Sequence, residues 1–498
     1  MTHRWRPALL AGLFIGTAVL PLHAVPPPAS DPGITFIGHG AVPGNALDLS
    51  GLNGKSICPA PGPDEALPCI DQATFGGWGS GISYTGHDNV FLAVPDRGPF
   101  DGRTDVPYLD RFNFVHITVD TNAPMANNIT VKLLDTRFMK DEHDQSFVGD
   151  AYAFAPNYLR MDPEGVRATP DGNFIVSDEY GPFLFKFDRN GHLLQRYPLP
   201  DYYQINNPSG DVDSANTSVE LYHTNNTSGR QANRGMEGVS LTPDGKWLIG
   251  IMQNALIQDG GVDYKGALNI PPGQPGAQSP GRLSLNNRIF MLNQTTGETH
   301  EYVYRIDSIG NGRGVNELLA INDHEFLVLE RDNRTKLPTP PAPPPPDPSP
   351  STPQEKTIYR IDLNEVIGTA TATDVAGMDT LPATFTPVQK HLFIDMLNPA
   401  YQVDATHTIK DVIPEKMEGM AWGPDLPDGR HVLYVVSDND LFAGGPEFET
   451  DTVHLGNGLP TQIFAFAVKE SDAGVHVVPQ NLPGPLFPPG QLKKILGN

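Results

Sequence analysis

The stretch EGVRATPDGNFIVSDEYGP, Glu164 to Pro182, decides the fold because its parts recur. EGVSLTPDGKWLIGIMQN opens at Glu237, and EGMAWGPDLPDGRHVLYVVSDND opens at Glu418. Each copy starts on an acid, runs as a short apolar strand to a Pro-Asp-Gly turn, and returns as a strongly apolar strand. The returning strands are Phe174–Val176, Trp247–Ile251 and Val432–Val436. Two weaker copies run from Gly79 through Asn89 to Val90–Val94, and from Glu317 through Asn322-Asp323 to Phe326–Leu329. A third strand follows in each: Phe112–Val119, Phe183–Phe187, Arg288–Leu292, Thr357–Ile361 and Gln462–Val468. Some copies add a more polar fourth, such as Leu193–Pro198 and His300–Ile306.

Four antiparallel strands, repeated, describe a propeller blade. One blade cannot bury both of its faces, and stacking blades around an axis does. The expectation is therefore an all-β propeller of five to six four-stranded blades over residues 33–480, with a tail at 481–498. A sixth blade would draw on Ile34–Val42 plus an excursion or the tail; alternatively, that N-terminal strand completes the last blade and closes the ring. A pair of β-sandwiches is the rival architecture, but it does not predict one unit recurring five times. Excursions at Asp201–Asn233, Asp259–Pro280 and Pro338–Pro353 lengthen the repeats. The Pro-rich segment 337–353 should be extended polyproline that leaves one blade between its second and third strands and returns.

The chain has 50 Gly and 50 Pro, a composition of short strands and many turns. An apolar run from Ala8 to Leu22 follows Arg4 and Arg6, and reads as a signal peptide over 1–24. It is shorter than the roughly 20 residues a membrane span needs. Export to the periplasm or medium permits disulfides, and Cys58 and Cys69 are expected to bond around a Pro/Gly-rich loop without a core of its own. The net charge of −24 disfavours nucleic acid and anionic lipid as partners and suits a protein that holds cations.

In a blade the first strand begins where the second ends. Glu164, Glu237, Glu317 and Glu418 should thus share one mouth with Asp96-Arg97, Asp178-Glu179, Gln253-Asn254, Glu330-Arg331-Asp332 and Asp438-Asn439-Asp440. The turn residues Asp171, Asp244 and Asp428 should lie at the other end. Crowded carboxylates stay ionised only with positive charge among them. An oxygen-rich, histidine-poor set favours Ca²⁺. The expected cation ligands are Asp178, Glu179, Glu330, Asp332 and Asp438. Arg97, Arg234 and Arg331 are the expected receivers of a substrate anion, with Arg334 in the same ring. The four repeated glutamates are either structural, tying blades together, or further metal ligands. No nucleophile elbow and no phosphate-cradling Gly-rich loop is present. No side chain is assigned as catalytic; the attacking group expected is a metal-bound water. His39, His87, His116 and His143 lack metal-like spacing.

Asp162-Pro163-Glu164-Gly165, Ser177-Asp178-Glu179-Tyr180-Gly181-Pro182, Met236-Glu237-Gly238 with Thr242-Pro243-Asp244-Gly245, and Glu330-Arg331-Asp332, in that order, resemble the exported bacterial phytase-like proteins, described as having esterase-like activity of phytase. The resemblance covers roughly 33–470. It implies a propeller and, through kinship with Ca²⁺-dependent propeller phytases, a hydrolase of a phosphoester or related ester. Two other functions fit the same scaffold: a non-catalytic propeller binding a ligand or partner, and a lactonase-type hydrolase or quinone oxidoreductase.

Overall fold

The computed structural model describes residues 31–61, 67–150, 159–181, 183–197, 199–205, 228–231, 233–259, 284–308, 312–338, 351–366, 375, 378, 381–382, 385–445, 455–480, 482 and 489–497. The expected leader, the larger parts of the first two excursions and residues 339–350 of the Pro-rich segment lie outside the described residues. Twenty of the strands build five sheets of four.

The chain begins with β1 (Ile34–Val42) and a short pair, β2 (Ser56–Ile57) and β3 (Ile70–Asp71). Blade one is β4 (Gly81–Tyr84), β5 (Val90–Val94), β6 (Arg111–Val119) and β7 (Ile129–Phe138). After the parallel pair β8 (Phe147–Val148) and β9 (Leu159–Arg160), blade two is β10 (Pro163–Ala168), β11 (Phe174–Asp178), β12 (Phe183–Phe187) and β13 (Leu193–Tyr197). Blade three is β14 (Met236–Leu241), β15 (Trp247–Met252), β16 (Asn286–Asn293) and β17 (Thr299–Arg305). Blade four is β18 (Gly314–Ala320), β19 (Glu325–Arg331), β20 (Lys356–Asp362) and β21 (His391–Asp395). Blade five is β22 (Met417–Trp422), β23 (His431–Ser437) and β24 (Thr461–Val468), with β1 as its outer strand.

The count is therefore five among the described residues. The N-terminal strand does not found a sixth blade. It pairs with β24 from Ile34 opposite Val468 to Val42 opposite Thr461. The inner strands β4, β10, β14, β18 and β22 each neighbour the next, and β22 neighbours β4, so the ring is closed.

The apolar alternation of these strands fills the gaps between blades. Five buried clusters each occupy one gap. Phe112, Phe114, Phe174 and Phe187 lie between blades one and two; Leu184, Met236 and Leu248 between two and three. Ile289, Val315 and Phe326 lie between three and four; Leu329, Met417 and Phe464 between four and five; Ile82, Phe91, Val436 and Ile463 between five and one. The inner three strands of each blade thus pack on a neighbour on both faces, which is why the repeat needs a ring.

Towards the axis the strands crowd. A Cβ at Gly238 would sit 2.6 Å from the Leu318 backbone nitrogen in blade four, and one at Gly81 would sit 2.2 Å from the Glu164 carbonyl oxygen in blade two. Backbone atoms cannot swing aside, so glycine holds these places. Gly238→Ala is expected to cost about 1–3 kcal/mol, measured as a lower urea midpoint at unchanged slope. An unchanged midpoint would mean the blades part without cost.

Cys58 and Cys69 are bonded, 11 residues apart. The β2–β3 pair flanks the bridge, and the Cys58 N–H donates to Asp105 Oδ1 at 2.8 Å. Among the described residues no helix is long and apolar enough to cross a membrane.

Candidate functional site: an acid-lined channel mouth

Strand register decides which side chains reach the axis. Pro163 pairs with Asp178, Met236 with Met252, Val315 with Glu330, and Met417 with Ser437. The register then slips in all four blades, a β-bulge that leaves Glu164, Glu237, Asn316 and Glu418 without cross-strand partners. These four, with Ser80 in the matching place of blade one, form the inner ring of the mouth. Glu164, Glu237 and Glu418 are all buried. Burial pushes Glu164 well above the usual carboxylate range, and Glu237, Asp162 and Glu418 push it further. Glu237 rises likewise through burial, then through Glu179 and Glu418.

Blade four departs from the expected pattern by one residue. The bulge puts Asn316, not Glu317, in line with the other three. Glu317 stands in the place of Gly165, Gly238 and Gly419, and meets Arg167 Nη2 at 2.8 Å. Arg167 also donates to the carbonyls of Ile82 and Leu318, both at 2.8 Å. This arginine of blade two thus reaches across to blades one and four beside the ring acids.

The second-strand ends bring further groups. Glu179 and Asp438 face the mouth. Glu179 Oε1 and Asp438 Oδ1 are buried without hydrogen-bond partners among the described residues, as are Glu237 Oε2 and the side-chain oxygens of Asn254, Asn316 and Asn439. Asp178 turns back to the chain: it accepts from the N–H groups of Asp162 (2.9 Å), Tyr180 (3.0 Å) and Gly181 (3.0 Å), and so shapes the loop that carries Glu179. Glu330 accepts from Tyr304 and from Lys390 Nζ (2.8 Å), in a separate acid group with Asp307 and Glu355. Asp332 accepts from the Gln354 N–H at 2.9 Å and lies 3.4 Å from Lys356 Nζ.

Two sets of carboxylate oxygens come together, each within 4.8 Å: Asp162, Glu164 and Glu179, and Asp96, Asp438 and Asp440. Asp96 is pushed up to about 7, chiefly by burial, against the pull of Arg97 and Lys416. Asp162 is pushed up to about 6 by burial, against Arg97. Burial and Asp96 hold Asp438 well above its ordinary value. Mutually repelling carboxylates, of which Glu179 Oε1 and Asp438 Oδ1 lack hydrogen-bond partners among the described residues, fit a hard cation with six to eight oxygen ligands. Sequence reasoning placed Asp96 and Asp440 at the mouth without naming them as cation ligands, and did not assign Asp162 or Lys416 to the site. A signal existed for two of them, since Asp162 and Lys416 each stand two places before a ring glutamate.

The cations at the mouth are differently engaged. Arg97 Nη1 meets Asp162 Oδ2 at 2.9 Å, and its Nη2 meets Asp101 at 2.9 Å. Arg331 Nη2 meets Glu418 at 2.8 Å and its Nη1 donates to Asn333. Lys416 pairs with Asp440 and Asp438. Arg234 donates to the Gln253 amide oxygen and has no carboxylate partner among the described residues. Arg334, half-buried on the blade-four loop, likewise makes no ion pair among them. His39 bonds the Ala126 carbonyl (2.9 Å) and Gln462 (2.8 Å) in blade five, far from the acids in role. At the other end of the axis, Thr169 and Thr242 donate to Asp171 and Asp244 inside their turns, which explains those acids without a ligand.

A secreted protein of Arthroderma benhamiae, named as uncharacterized, is 29% identical over 269 residues, covering 45% of this chain and 49% of that one. The chain thus spans about half the length of that curated relative. Among solved structures, a putative gluconolactonase is similar at 11% identity and TM-score 0.30, covering 85% of this chain and 96% of that one. Regucalcin of Agrobacterium tumefaciens, a calcium-binding protein, is similar at 11% identity and TM-score 0.28, covering 83% and 95%. At these scores neither adds to what the strand pairing gives. The family model "Phytase-like: Esterase-like activity of phytase" matches residues 73–441, which takes in all the mouth residues named above, and the chain belongs to that phytase-like family.

Proposed function

We propose that the chain is an exported, calcium-dependent esterase whose mouth acts on a phosphoester or related ester. One observation carries the reading. Two tight carboxylate sets face a common channel, with buried oxygens unpartnered and fixed guanidinium groups between them. The family match supports hydrolase chemistry, and the leader-like N-terminus with the disulfide supports export.

Asp162, Glu164 and Glu179 would hold one calcium ion, and Asp96, Asp438 and Asp440 another. Calcium there would supply Lewis-acid polarisation of the ester and a more acidic water. The chain's own groups set the stage for that. Asp178 fixes the loop bearing Glu179 through three backbone N–H groups. Arg97 and Arg331, pinned by Asp162 and Glu418, hold fixed positive charge beside the acids and favour their ionised forms. Arg167 ties the inner strands of blades one, two and four together beside the acids.

The test uses purified protein, metal analysis and release of phosphate or phenol from aryl esters. Bound calcium near stoichiometric amounts, and at least a hundredfold loss of hydrolysis in EGTA restored by calcium, are expected. Hydrolysis indifferent to chelator would remove the ion from the reaction. Tight ligand binding without any turnover would instead favour a binding propeller.

A further inference from the structure

At the turn end of the axis, opposite the mouth, the inner strands β4, β18 and β22 end around a cavity. Its volume is about 230 Å³, and Ile82, Tyr84, Leu319, Ala421, Trp422 and Val478 are among the residues that line it. An apolar cavity of ~150 Å³ already takes a benzene ring. None of the mouth acids borders this space.

Its walls are tied in place. Trp422 Nε1 donates to the Ala320 carbonyl at 2.9 Å, which fixes the indole across the seam between blades five and four. The chain that follows β24 runs past the cavity as a strap. The Val477 N–H donates to Glu470 Oε1 at 2.6 Å, the Val478 N–H to the Ile321 carbonyl at 2.8 Å, and Asn322 Nδ2 to the His476 carbonyl at 3.2 Å. On the far side a Cβ at Gly86 would sit 2.9 Å from Leu482 Cβ, so the strap also touches blade one. The walls therefore come from three blades and the tail, and they are present before any ligand arrives.

The charged groups at the border are already matched. Arg167 meets Glu317 at 2.8 Å, and Asp425 meets His431 at 2.8 Å. An ionic ligand would shed its water here without gaining a counter-charge, and that is costly. One polar group is left over. The Tyr84 hydroxyl makes no hydrogen bond among the described residues. Burial, then Asp88 and Asp425, push Tyr84 above its ordinary value, so the hydroxyl keeps its proton and can donate it. Its ring packs on Phe91 at 5.1 Å between centroids, which holds it at the wall. Tyr84 and Trp422 thus offer aromatic surface with a single donor beside it.

We propose that the turn end of the channel is a second binding site, for a small uncharged aromatic molecule that carries one hydrogen-bond acceptor, such as an aryl ketone. The size of the cavity sets the size of the ligand, the paired charges set its neutrality, and Tyr84 sets the acceptor. The site is separate from the acid-lined mouth and does not depend on the esterase reading.

The experiment is calorimetric titration of the full chain with acetophenone, toluene, benzoate and benzylamine, with near-ultraviolet dichroism to show that each variant is folded. Acetophenone should bind with a Kd below about 1 mM, in keeping with a ligand of its size. Benzoate and benzylamine should bind at least tenfold more weakly. Tyr84→Phe should weaken acetophenone about fivefold and leave toluene unchanged. Ala421→Leu fills the cavity from blade five and should weaken acetophenone at least tenfold. Val478 is 37% exposed and accepts a polar replacement, so Val478→Asp brings a carboxylate to the wall without burdening the fold and should have a similar effect. The same Kd is expected in calcium and in EGTA, because the mouth takes no part. Four results overturn the proposal: no binding of acetophenone up to about 10 mM, benzoate or benzylamine binding as tightly as acetophenone, affinity that disappears in EGTA, or affinity that survives both Ala421→Leu and Val478→Asp. None of these readouts uses turnover, so a chain that hydrolyses nothing can still carry the site, and an active esterase can lack it.

Discussion

Asp162→Ala is expected to destabilise the folded chain by about 3–5 kcal/mol. Asp162 is fully buried and does two things for Arg97: its Oδ2 meets the guanidinium at 2.9 Å, and its Oδ1 accepts the Arg97 backbone N–H at 2.9 Å. Its own N–H is bonded to Asp178 at 2.9 Å. One carboxylate therefore ties the end of β5 in blade one to the start of β10 in blade two. Alanine leaves a buried guanidinium facing Asp101, which is more than half exposed, with Glu179 and Asp96 at 3.8 and 3.9 Å. A buried charge that loses its closest buried partner is costly because water cannot replace that partner. The measurement is chemical denaturation in EGTA, so that altered calcium binding does not enter. A loss below about 1 kcal/mol, the range of an exposed pair, would show that Asp162 does not hold these blades together.

The second large effect concerns pH in the absence of calcium. Asp96 is pushed up to about 7, Asp162 to about 6, and Glu164, Glu237 and Asp438 well above the usual range, all chiefly by burial. The folded chain keeps these protons where the unfolded chain, with carboxyl groups near 4, has already released them. A folded state that binds more protons than the unfolded one loses stability as pH rises. The loss should run from about pH 4 through about pH 7. Lys356, buried and pushed down to about 7, works the other way, but only above that pH. In EGTA, Tm is thus expected to fall by at least about 5 °C between pH 5 and pH 8. With millimolar calcium the slope should flatten or reverse, because an ion that binds only the folded chain stabilises it. A Tm that is level in EGTA across this range would mean the acids are already balanced by the chain itself.

The fold was largely legible because its signals are local. Alternating apolar runs bounded by Pro-Asp-Gly and Asn-Gly turns placed β5, β12 and β15 within a residue of their observed bounds. Ring closure by Ile34–Val42 was legible as one of two possibilities, and the pairing with β24 chose between them. The shared mouth was legible too, since antiparallel strands must bring their opposite ends together. What the sequence hid was register. A bulge shifts one residue, and in the fourth repeat Asn316-Glu317 stands where the others have Glu-Gly. Counting from the acid therefore chose the wrong neighbour. Asp178, Glu330 and Asp332 look like Glu179 and Asp438 as letters, yet they are turned to backbone N–H groups or a lysine, whereas Glu179 Oε1 and Asp438 Oδ1 stay without hydrogen-bond partners among the described residues. Which arginine lacks a carboxylate partner among the described residues depends on contacts between blades more than fifty residues apart, such as Arg97 with Asp162. No local pattern carries that.

The pairing of β1 with β24 sets a timetable as well as a shape. The strand synthesised first finds its partner last, after more than four hundred residues have followed. Until then four blades can assemble while the fifth still has a bare edge open to other chains. A truncation that spares every mouth residue but removes Ile34–Val42 would leave that edge bare for good, so solubility, not chemistry, should be the first property to suffer.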